Sequence, residues 1–570
     1  MPYQPTMLGT RYMVSAGHYL ATQAGFNILE AGGNAVDAGV AAGMALAVVQ
    51  SDIVNCGGVA PMIIYLAEKN EVVTISGLGW WPKAAKLEIF LREHNGTVPA
   101  GVRRSVMPAA PDAWLTALKH FGTKSFGEVA HAAIRYARDG FPMHPTYRGT
   151  IEKAKEGYSR YPSNMAVMLP SGRIPEVGEN FVQADLARTL QFMVDQEKAA
   201  AKKGREAGLD AARASFYEGD IAKAIAKFHR EQGGFMTEED LRNFHVGIEP
   251  PVKRRYWGID VYTCGVWCQG PVLLQMMALL ENYDLKGMGH NSVDYIHTLS
   301  EAIKLAFADR ERFYGDPRYI DVPLETLLSK DYNRERKAMI RRDEAWPDMP
   351  PHGAVPGFEA MAAKMLTPPK APEYLGHDTS YACAIDAKGN TFSTTPSDSC
   401  GASPIIPGLG LIASSRGSQN WAVEGHASAI APGKRPRLTP NPALAMVDGK
   451  MTMPFGTPGG DVQCQAMLQV FLNIHQFGMD PQTAIEAPRF STYSHPSSFE
   501  PHEADPGVLK IENRIDKAAG DALAAKGHKV EWWPEITRYA GAVCTIVHDR
   551  EKNRLTGGAD PRRMSRAMGW

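Results

Sequence analysis

One junction constrains this chain of 570 residues more than any other feature. Between Trp346 and Pro372 there are seven prolines, at 347, 350, 351, 356, 368, 369 and 372. Proline has a fixed φ and no backbone donor, so neither helix nor sheet can run through such a stretch; it reads as a loop or linker. Directly behind it stands GHDTSYACAIDAKGNTFSTTPSDS, residues 376–399. Ser380–Ile385 alternates, Asp386–Asn390 has turn chemistry and Thr391–Thr395 returns, which is the pattern of a β-hairpin. An irregular strap therefore delivers the chain abruptly into ordered sheet.

Around this junction helices and strands alternate in blocks. Residues 20–50 read as two helices parted by the Ala31–Asn34 turn, and the second, AVDAGVAAGMALAVV (35–49), has the small residues of a buried helix that lets neighbours approach closely. PMIIYLA and EVVTISG read as strands around a Glu68–Asn70 turn; residues 110–230, 285–340 and 466–478 read as helical. The charged, alanine-rich run 195–214 reads as a solvated helix or loop. Lys plus Arg is 61 and Asp plus Glu is 62, so no charge excess favours nucleic acid or an anionic membrane surface. The longest apolar run, 35–49, contains Asp37 and falls short of the ~20 residues of a membrane span. The first residues lack the basic and apolar regions of a signal peptide, so a cytoplasmic location is expected. Seven cysteines do not make a disulfide framework. Cys264 and Cys268 lie in an apolar run without a second ligand pair, and read as small buried hydrophobes.

The phosphate-loop, zinc-protease and nucleophile-elbow motifs are absent. Two features carry chemistry. Thr379 opens the hairpin straight after the strap. A cut before it would leave a hydroxyl and a free α-amine on one residue, and an α-amine with a reference pKa of about 7.7–8.0 can take the hydroxyl proton. The cut needs no protease if Thr379 Oγ attacks the Asp378 carbonyl and water then hydrolyses the ester. A β-branched residue opening a strand is equally an ordinary sheet residue. The second feature is PFGTPGGD (454–461) ahead of the 466–478 helix, where consecutive glycines can present backbone N–H groups to an oxyanion, or simply make a tight turn.

Eight segments in order give the chain a resemblance that favours the chemical reading of both. ILEAGGNAVDAGVAAGMALAVV (28–49), NCGGVAPMIIY (55–65), RSVMPAAPDAW (104–114), HDTSYACAIDAKGNTFSTT (377–395), APGKRPRLTPNPAL, GTPGGD, LQVFLNIHQFGMDPQTAIEAPRF and GGADPRR resemble the γ-glutamyltransferase family of N-terminal-nucleophile hydrolases. The resemblance implies an α+β fold, a four-layer αββα sandwich. It implies cleavage between Asp378 and Thr379 into a large chain, 1–378, and a small chain, 379–570, that together form one fold. It places the nucleophile at Thr379, a supporting hydroxyl at Ser397 with Thr395 nearby, and the oxyanion hole at Gly459 and Gly460. It implies no cofactor and no metal, a small-molecule amide as substrate and the two chains of one precursor as partners; a homo-oligomer is left open.

Departures from the family pattern bear on substrate. Where the family grips the γ-glutamyl carboxylate with arginine, this chain has ISGLGWWPKAA (75–85), with Leu78 near the matching position and Trp80 and Trp81 following. The serine pair after KRP is replaced by Leu438 and Thr439. The ammonium-binding positions map onto Ser399, Arg416 and Gln419. A buried arginine 4 Å from an ammonium is repulsive by about 4 kcal/mol at an effective dielectric near 20. The expected substrate is therefore a small carboxylate-bearing amide of the oxamate kind, with Arg416 as carboxylate clamp and Gln419, Ser399, Thr439 and Trp80 around it. The alternatives are γ-glutamyl compounds, as for a glutathione hydrolase, and a cephalosporin-acylase-like substrate against a Trp80–Trp81 wall, or a non-catalytic binding relative.

Overall fold

The structure is a computed structural model that describes residues 3–359 and 378–570. Two seven-stranded sheets form its centre. In one, the order is Met7–Gly9, Arg554–Ala559, Cys544–Asp549, Met451–Gly456, Ala443–Val447, Ile259–Thr263 and Val252–Tyr256. In the other it is Arg566–Gly569, Met13–Ala16, Ala382–Ile385, Thr391–Thr394, Met62–Leu66, Glu71–Ile75 and Ile248–Glu249. Neighbouring strands in both sheets are antiparallel. A three-stranded sheet of Phe490–Thr492, Val508–Glu512 and Lys529–Trp533 lies apart from them.

The layering follows from the two-residue period of a strand. In the hairpin, Ala382 and Ala384 join the core under helices Tyr19–Glu30 and Ala35–Val49, with Phe392 beside them. Tyr381, Cys383 and Ile385 point the other way, onto Cys544, Ile546, Leu555 and Ala559 of the facing sheet. That facing sheet repeats the alternation: Ala443 and Ala445 pack under helices Gly270–Leu280, Val293–Phe313 and Val462–His475, while Leu444 and Met446 meet Ile63 and Tyr65 between the sheets. Helix, sheet, sheet, helix is the αββα sandwich expected.

The small residues of Ala35–Val49 have a specific purpose. All fifteen residues of this helix are buried. A Cβ on Gly39 would run into the Phe392 ring, so only glycine lets the helix lie on the hairpin. Asn34 and Asp37 close a capping box at its N-terminus, and the buried Asp37 also accepts from Thr123 and Lys124. The hairpin strands are Ala382–Ile385 and Thr391–Thr394, as the sequence predicts within a residue or two. The run 195–214 differs in part from its expected solvated surface. It is helical, and Glu197 turns inward, where its carboxylate caps the helix Phe126–Asp139 through Phe126 N and Gly127 N at 2.6 and 2.7 Å. The expected proline-rich loop is irregular over 346–359, and its remainder falls outside the described residues.

Candidate active site

Thr379 stands where the hairpin strand leaves the junction, and Ser397 stands just past the returning strand. The two residues form an antiparallel bridge, continued by Ser380 N donating to Pro396 O at 3.0 Å. Ser397 is fixed on its other side by a second bridge to Val59, with Ser397 N donating to Val59 O at 3.0 Å. Gly58, in the NCGGVA segment, is what allows this approach, because a Cβ there would strike the carbonyl of Ser397. Sheet register thus sets two hydroxyls side by side: Thr379 Oγ1 lies 2.9 Å from Ser397 Oγ.

The carbonyl of Asp378 sits in the same cluster. Ser397 Oγ donates to Asp378 O at 2.8 Å, and Arg416 Nη2 donates to it at 3.4 Å and also to Ser397 Oγ. Arg416 comes from a short helical turn, Ser415–Gln419, and is buried. Burial pushes its guanidinium down from the ordinary arginine range, opposed by Asp398 and Asp378. Asp398 has φ 127°, a left-handed backbone rare for a residue with a side chain. Its carboxylate collects Ser414 Oγ at 2.6 Å, the Ser415 hydroxyl and Ser415 N, and lies 3.8 Å from Arg416 Nε. The strained residue therefore anchors the turn that aims Arg416.

Asp378 is held on its other side by cations. Its Oδ2 accepts from Arg563 Nη2 at 2.6 Å and lies 3.9 Å from Arg538 Nη2, while its Oδ1 accepts from Thr379 N at 2.9 Å. Arg563 also donates to the carbonyl of Thr379 at 3.2 Å. Near these arginines Asp52 is buried, and burial pushes its carboxyl up to about 7 although Arg538 and Thr150 pull it down.

A cavity of about 390 Å3 opens onto Asp378. Its wall includes Gly459, Gly460, Phe499, Glu500, Arg538 and Arg563. Asp378 lines the cavity, whereas Thr379 is fully buried and does not. Gly459 and Gly460 have φ of 122° and 57°, the region glycine adopts most readily. Among the described residues neither of their N–H groups donates to a protein acceptor. The loop is pinned from beneath by Gln269, whose amide donates to Gly460 O and Thr439 O at 2.9 Å each. Asp461 ties it to Arg310 and to Ser498. Burial pushes Asp461 up, but Arg310 outweighs that and holds it at about 2.

The sequence-predicted residues fall into two groups. Thr379, Ser397, Asp378 and Arg416 touch one another, and Gly459 and Gly460 border the adjoining cavity. Gln419 and Thr439 pair with each other, Nε2 to Oγ1 at 2.9 Å, and Ser399 is buried beside Asp398, its Oγ accepting from Gly401 N. Trp80 is placed elsewhere. It packs on Phe244 at 4.6 Å and under Arg318 at 5.1 Å, and it is absent from the cavity wall. Trp81 is core, its indole donating to Asn420 Oδ1 at 2.8 Å. The tryptophan wall expected for an acylase-like substrate does not form. Residues the sequence reading left without a role are Arg538, Arg563, Asp52 and Gln269. Arg563 belongs to the GGADPRR segment, a visible signal, whereas nothing in sequence pairs Arg538 with Asp378.

Among the described residues one cluster has metal-ligating types, buried His297, Glu301 and His528. Within it His297 and His528 share a hydrogen bond of 2.9 Å, and Lys304 lies 2.8 Å from Glu301. Cys264 and Cys268 are free thiols in an apolar cluster with Val59, Leu78, Trp267 and Leu438. No helix among the described residues is long and apolar enough to cross a membrane.

Comparison with known proteins agrees with this fold. The family model described as Gamma-glutamyltranspeptidase matches residues 21–570. The glutathione hydrolase-like YwrD proenzyme of Bacillus subtilis is 32% identical, with 99% of each chain covered. An acylase ACY 1 proenzyme from a Pseudomonas species is also 32% identical, over 97% of this chain and 92% of its own. The crystal structure of cephalosporin acylase from Bacillus halodurans superposes with a TM-score of 0.85 at 27% identity, covering 100% of this chain and 98% of that one. The chain belongs to the gamma-glutamyltranspeptidase family and is an amide hydrolase or acyltransferase of that family, with the fold of N-terminal-nucleophile hydrolases.

Proposed function

We propose that this protein is a self-processing amidohydrolase whose nucleophile is Thr379 after cleavage at Asp378–Thr379, and whose substrate is a small amide carrying a carboxylate. The observation that carries the reading is the run Thr379 Oγ1, Ser397 Oγ, Asp378 O, at 2.9 and 2.8 Å. In this run Ser397 donates to the scissile carbonyl and accepts from Arg416, so the Thr379 hydroxyl is oriented toward Ser397. As Thr379 Oγ adds to the Asp378 carbonyl carbon, its proton passes to Ser397 and the proton of Ser397 moves onto the developing oxyanion. Collapse breaks the C–N bond; the carbonyl proton returns through the cluster to nitrogen, leaving an ester on Oγ and a free α-amine. Water hydrolyses the ester, which releases the Asp378 carboxylate and restores the Thr379 hydroxyl. Turnover repeats the chemistry with a substrate amide: the α-amine takes the hydroxyl proton and passes it to the leaving nitrogen, and the N–H groups of Gly459 and Gly460 face the oxyanion. Roles as positioning and substrate-facing residues for Arg416, Gln419, Ser399 and Thr439 belong to this reading.

The cations around Asp378, Arg416 at its carbonyl and Arg538 and Arg563 at its carboxylate, support an anionic substrate, of which oxamate is the smallest member. A second reading, γ-glutamyl compounds, is favoured by the acids Glu503 and Asp505 on the cavity wall, which suit an ammonium group. Intact mass of the purified protein tests the core of the proposal. Wild type is expected as two pieces ending at Asp378 and beginning at Thr379, and Thr379→Ala as a single chain of 62.2 kDa. A wild type that stays whole refutes it. Relative rates on oxamate and a γ-glutamyl anilide decide between the two substrate readings.

A further inference from the structure

Asp378 is bound as a substrate would be. In the ester formed during processing, the acyl carbon on Thr379 Oγ belongs to Asp378; in turnover the acyl carbon on the same oxygen belongs to the substrate. Whatever surrounds the acyl group of Asp378 is therefore placed to surround the acyl group of the substrate. The Asp378 carboxylate lies against Arg563 at 2.6 Å and near Arg538 at 3.9 Å, and both arginines line the cavity that the substrate must enter. The Arg563 side chain is only 3% exposed. When Asp378 leaves, a buried guanidinium loses the carboxylate on its Nη2, and an uncompensated buried charge is costly. An incoming carboxylate at the same place restores the pair, with charge-assisted hydrogen bonds of the strong kind.

We infer that Arg563 and Arg538 form a carboxylate subsite, occupied by Asp378 before cleavage and by the substrate after it, and that the preferred acyl group is a four-carbon dicarboxylic half-amide. The length follows from aspartate itself: its side-chain carboxylate carbon is separated from the scissile carbonyl carbon by Cα and Cβ, as in a succinyl group. This rests on the proposed function above and narrows its substrate. It also moves the substrate's charge from Arg416, which is engaged by the scissile carbonyl and Ser397, to a pair of arginines on the cavity wall.

The test uses the purified wild-type protein, with cleavage first checked by mass. Oxamate, malonamate, succinamate and glutaramate form a length series; butyramide has the four-carbon acyl chain without its charge, and a γ-glutamyl anilide represents the other substrate reading. The expected result is a maximum of kcat/KM at succinamate, about a hundredfold above butyramide. Arg563→Gln is expected to raise KM for succinamate at least about tenfold more than it raises KM for butyramide, a split that general misfolding does not produce. Should Arg563→Gln not cleave itself, Arg538→Gln and inhibition of the wild type by succinate against butyrate give the same reading, with succinate expected to bind more tightly. A maximum at oxamate or at the γ-glutamyl compound, or equal rates on succinamate and butyramide, overturns the subsite and leaves the amidohydrolase standing. An uncleaved wild type without turnover overturns both.

Discussion

Replacing Ser397 by alanine removes the hydroxyl that touches both the proposed nucleophile, Thr379 Oγ1, and the carbonyl of Asp378. Ser397 Oγ is 2.8 Å from Asp378 O, the atom that gains charge in the transition state, and 2.9 Å from Thr379 Oγ1, the atom that loses a proton. Loss of one oxyanion donor costs about 100- to 1,000-fold, or roughly 2.7–4 kcal/mol, and loss of a proton acceptor carries a comparable factor. Arg416 Nη2 remains as a second donor, but at 3.4 Å it is the weaker one. Self-cleavage of Ser397→Ala is therefore expected to slow by at least about 1,000-fold, while Ser397→Thr, which keeps the hydroxyl, retains most of the rate. Ser397 is fully buried, and its loss also orphans a donor of Arg416 at a cost of about 1–3 kcal/mol, so the folded state must be checked by circular dichroism and urea unfolding. The assay is a time course of intact chain against the 1–378 and 379–570 pieces after cell-free synthesis, resolved by mass. Cleavage of a folded Ser397→Ala protein within threefold of wild type refutes the assignment of Ser397 to proton transfer and carbonyl polarisation.

Three further outcomes are expected. Gly58→Ala drives a Cβ into the carbonyl of Ser397 and shifts it off the bridge to Val59, so self-cleavage should slow at least about tenfold in a protein with native circular dichroism. Glu500 lines the cavity, and burial pushes its carboxyl up to about 7 against the pull of Val98 and Arg104; as it ionises above that pH, KM for an anionic amide should rise several-fold between pH 6 and 8, and Glu500→Gln should flatten the rise. Asp52, with a carboxyl raised to about 7 chiefly by burial, binds its proton in the folded chain at pH values where the unfolded chain has lost it. Its contribution to stability is thus complete below about pH 3.9 and lost as pH rises to 7. Asp52→Asn in the uncleaved Thr379→Ala background should raise stability to urea at pH 8, by an order of 2–4 kcal/mol at most, and leave it unchanged at pH 4; a gain at both pH values contradicts the titration.

What was legible in the sequence is what depends on local pattern. The alternation in Ser380–Ile385 places Ala382 and Ala384 on one face and Cys383 and Ile385 on the other, and the sheet obeys it. The Gly459–Gly460 pair reads correctly as a special turn before a helix, because positive φ selects glycine wherever it occurs. What was not legible is what depends on which distant segments meet. Trp80 lies in a segment expected to face substrate, yet its ring goes to Phe244 and Arg318, since aromatic surface is drawn to whichever neighbour completes its burial. Arg538 and Arg563 reach Asp378 across separations of more than 150 residues in the chain, and no periodicity encodes such a meeting. Arg416 was expected as a clamp for a substrate carboxylate, whereas its contacts are the carbonyl of Asp378 and Ser397, which a search for a substrate carboxylate does not anticipate.

The distribution of arginines explains how, on the proposed reading, one constellation can serve two reactions. Arg416 is directed at the carbonyl and the two hydroxyls, groups common to processing and to turnover, and its own charge is balanced by Asp398, which belongs to the same chain segment and stays in place. Arg563 is directed at a carboxylate that belongs to the segment the proposed cleavage removes. Its balance therefore changes once, at cleavage, while that of Arg416 does not. A fixed cation suits a step that recurs in every cycle; a cation relieved of its partner suits an exchangeable anion. Reversing the two should separate the reactions: Arg416→Gln is expected to slow self-cleavage most, whereas Arg563→Gln, once cleaved, is expected to weaken substrate binding most. Equal effects of the two substitutions on both steps would mean that the arginines act only through the packing they share.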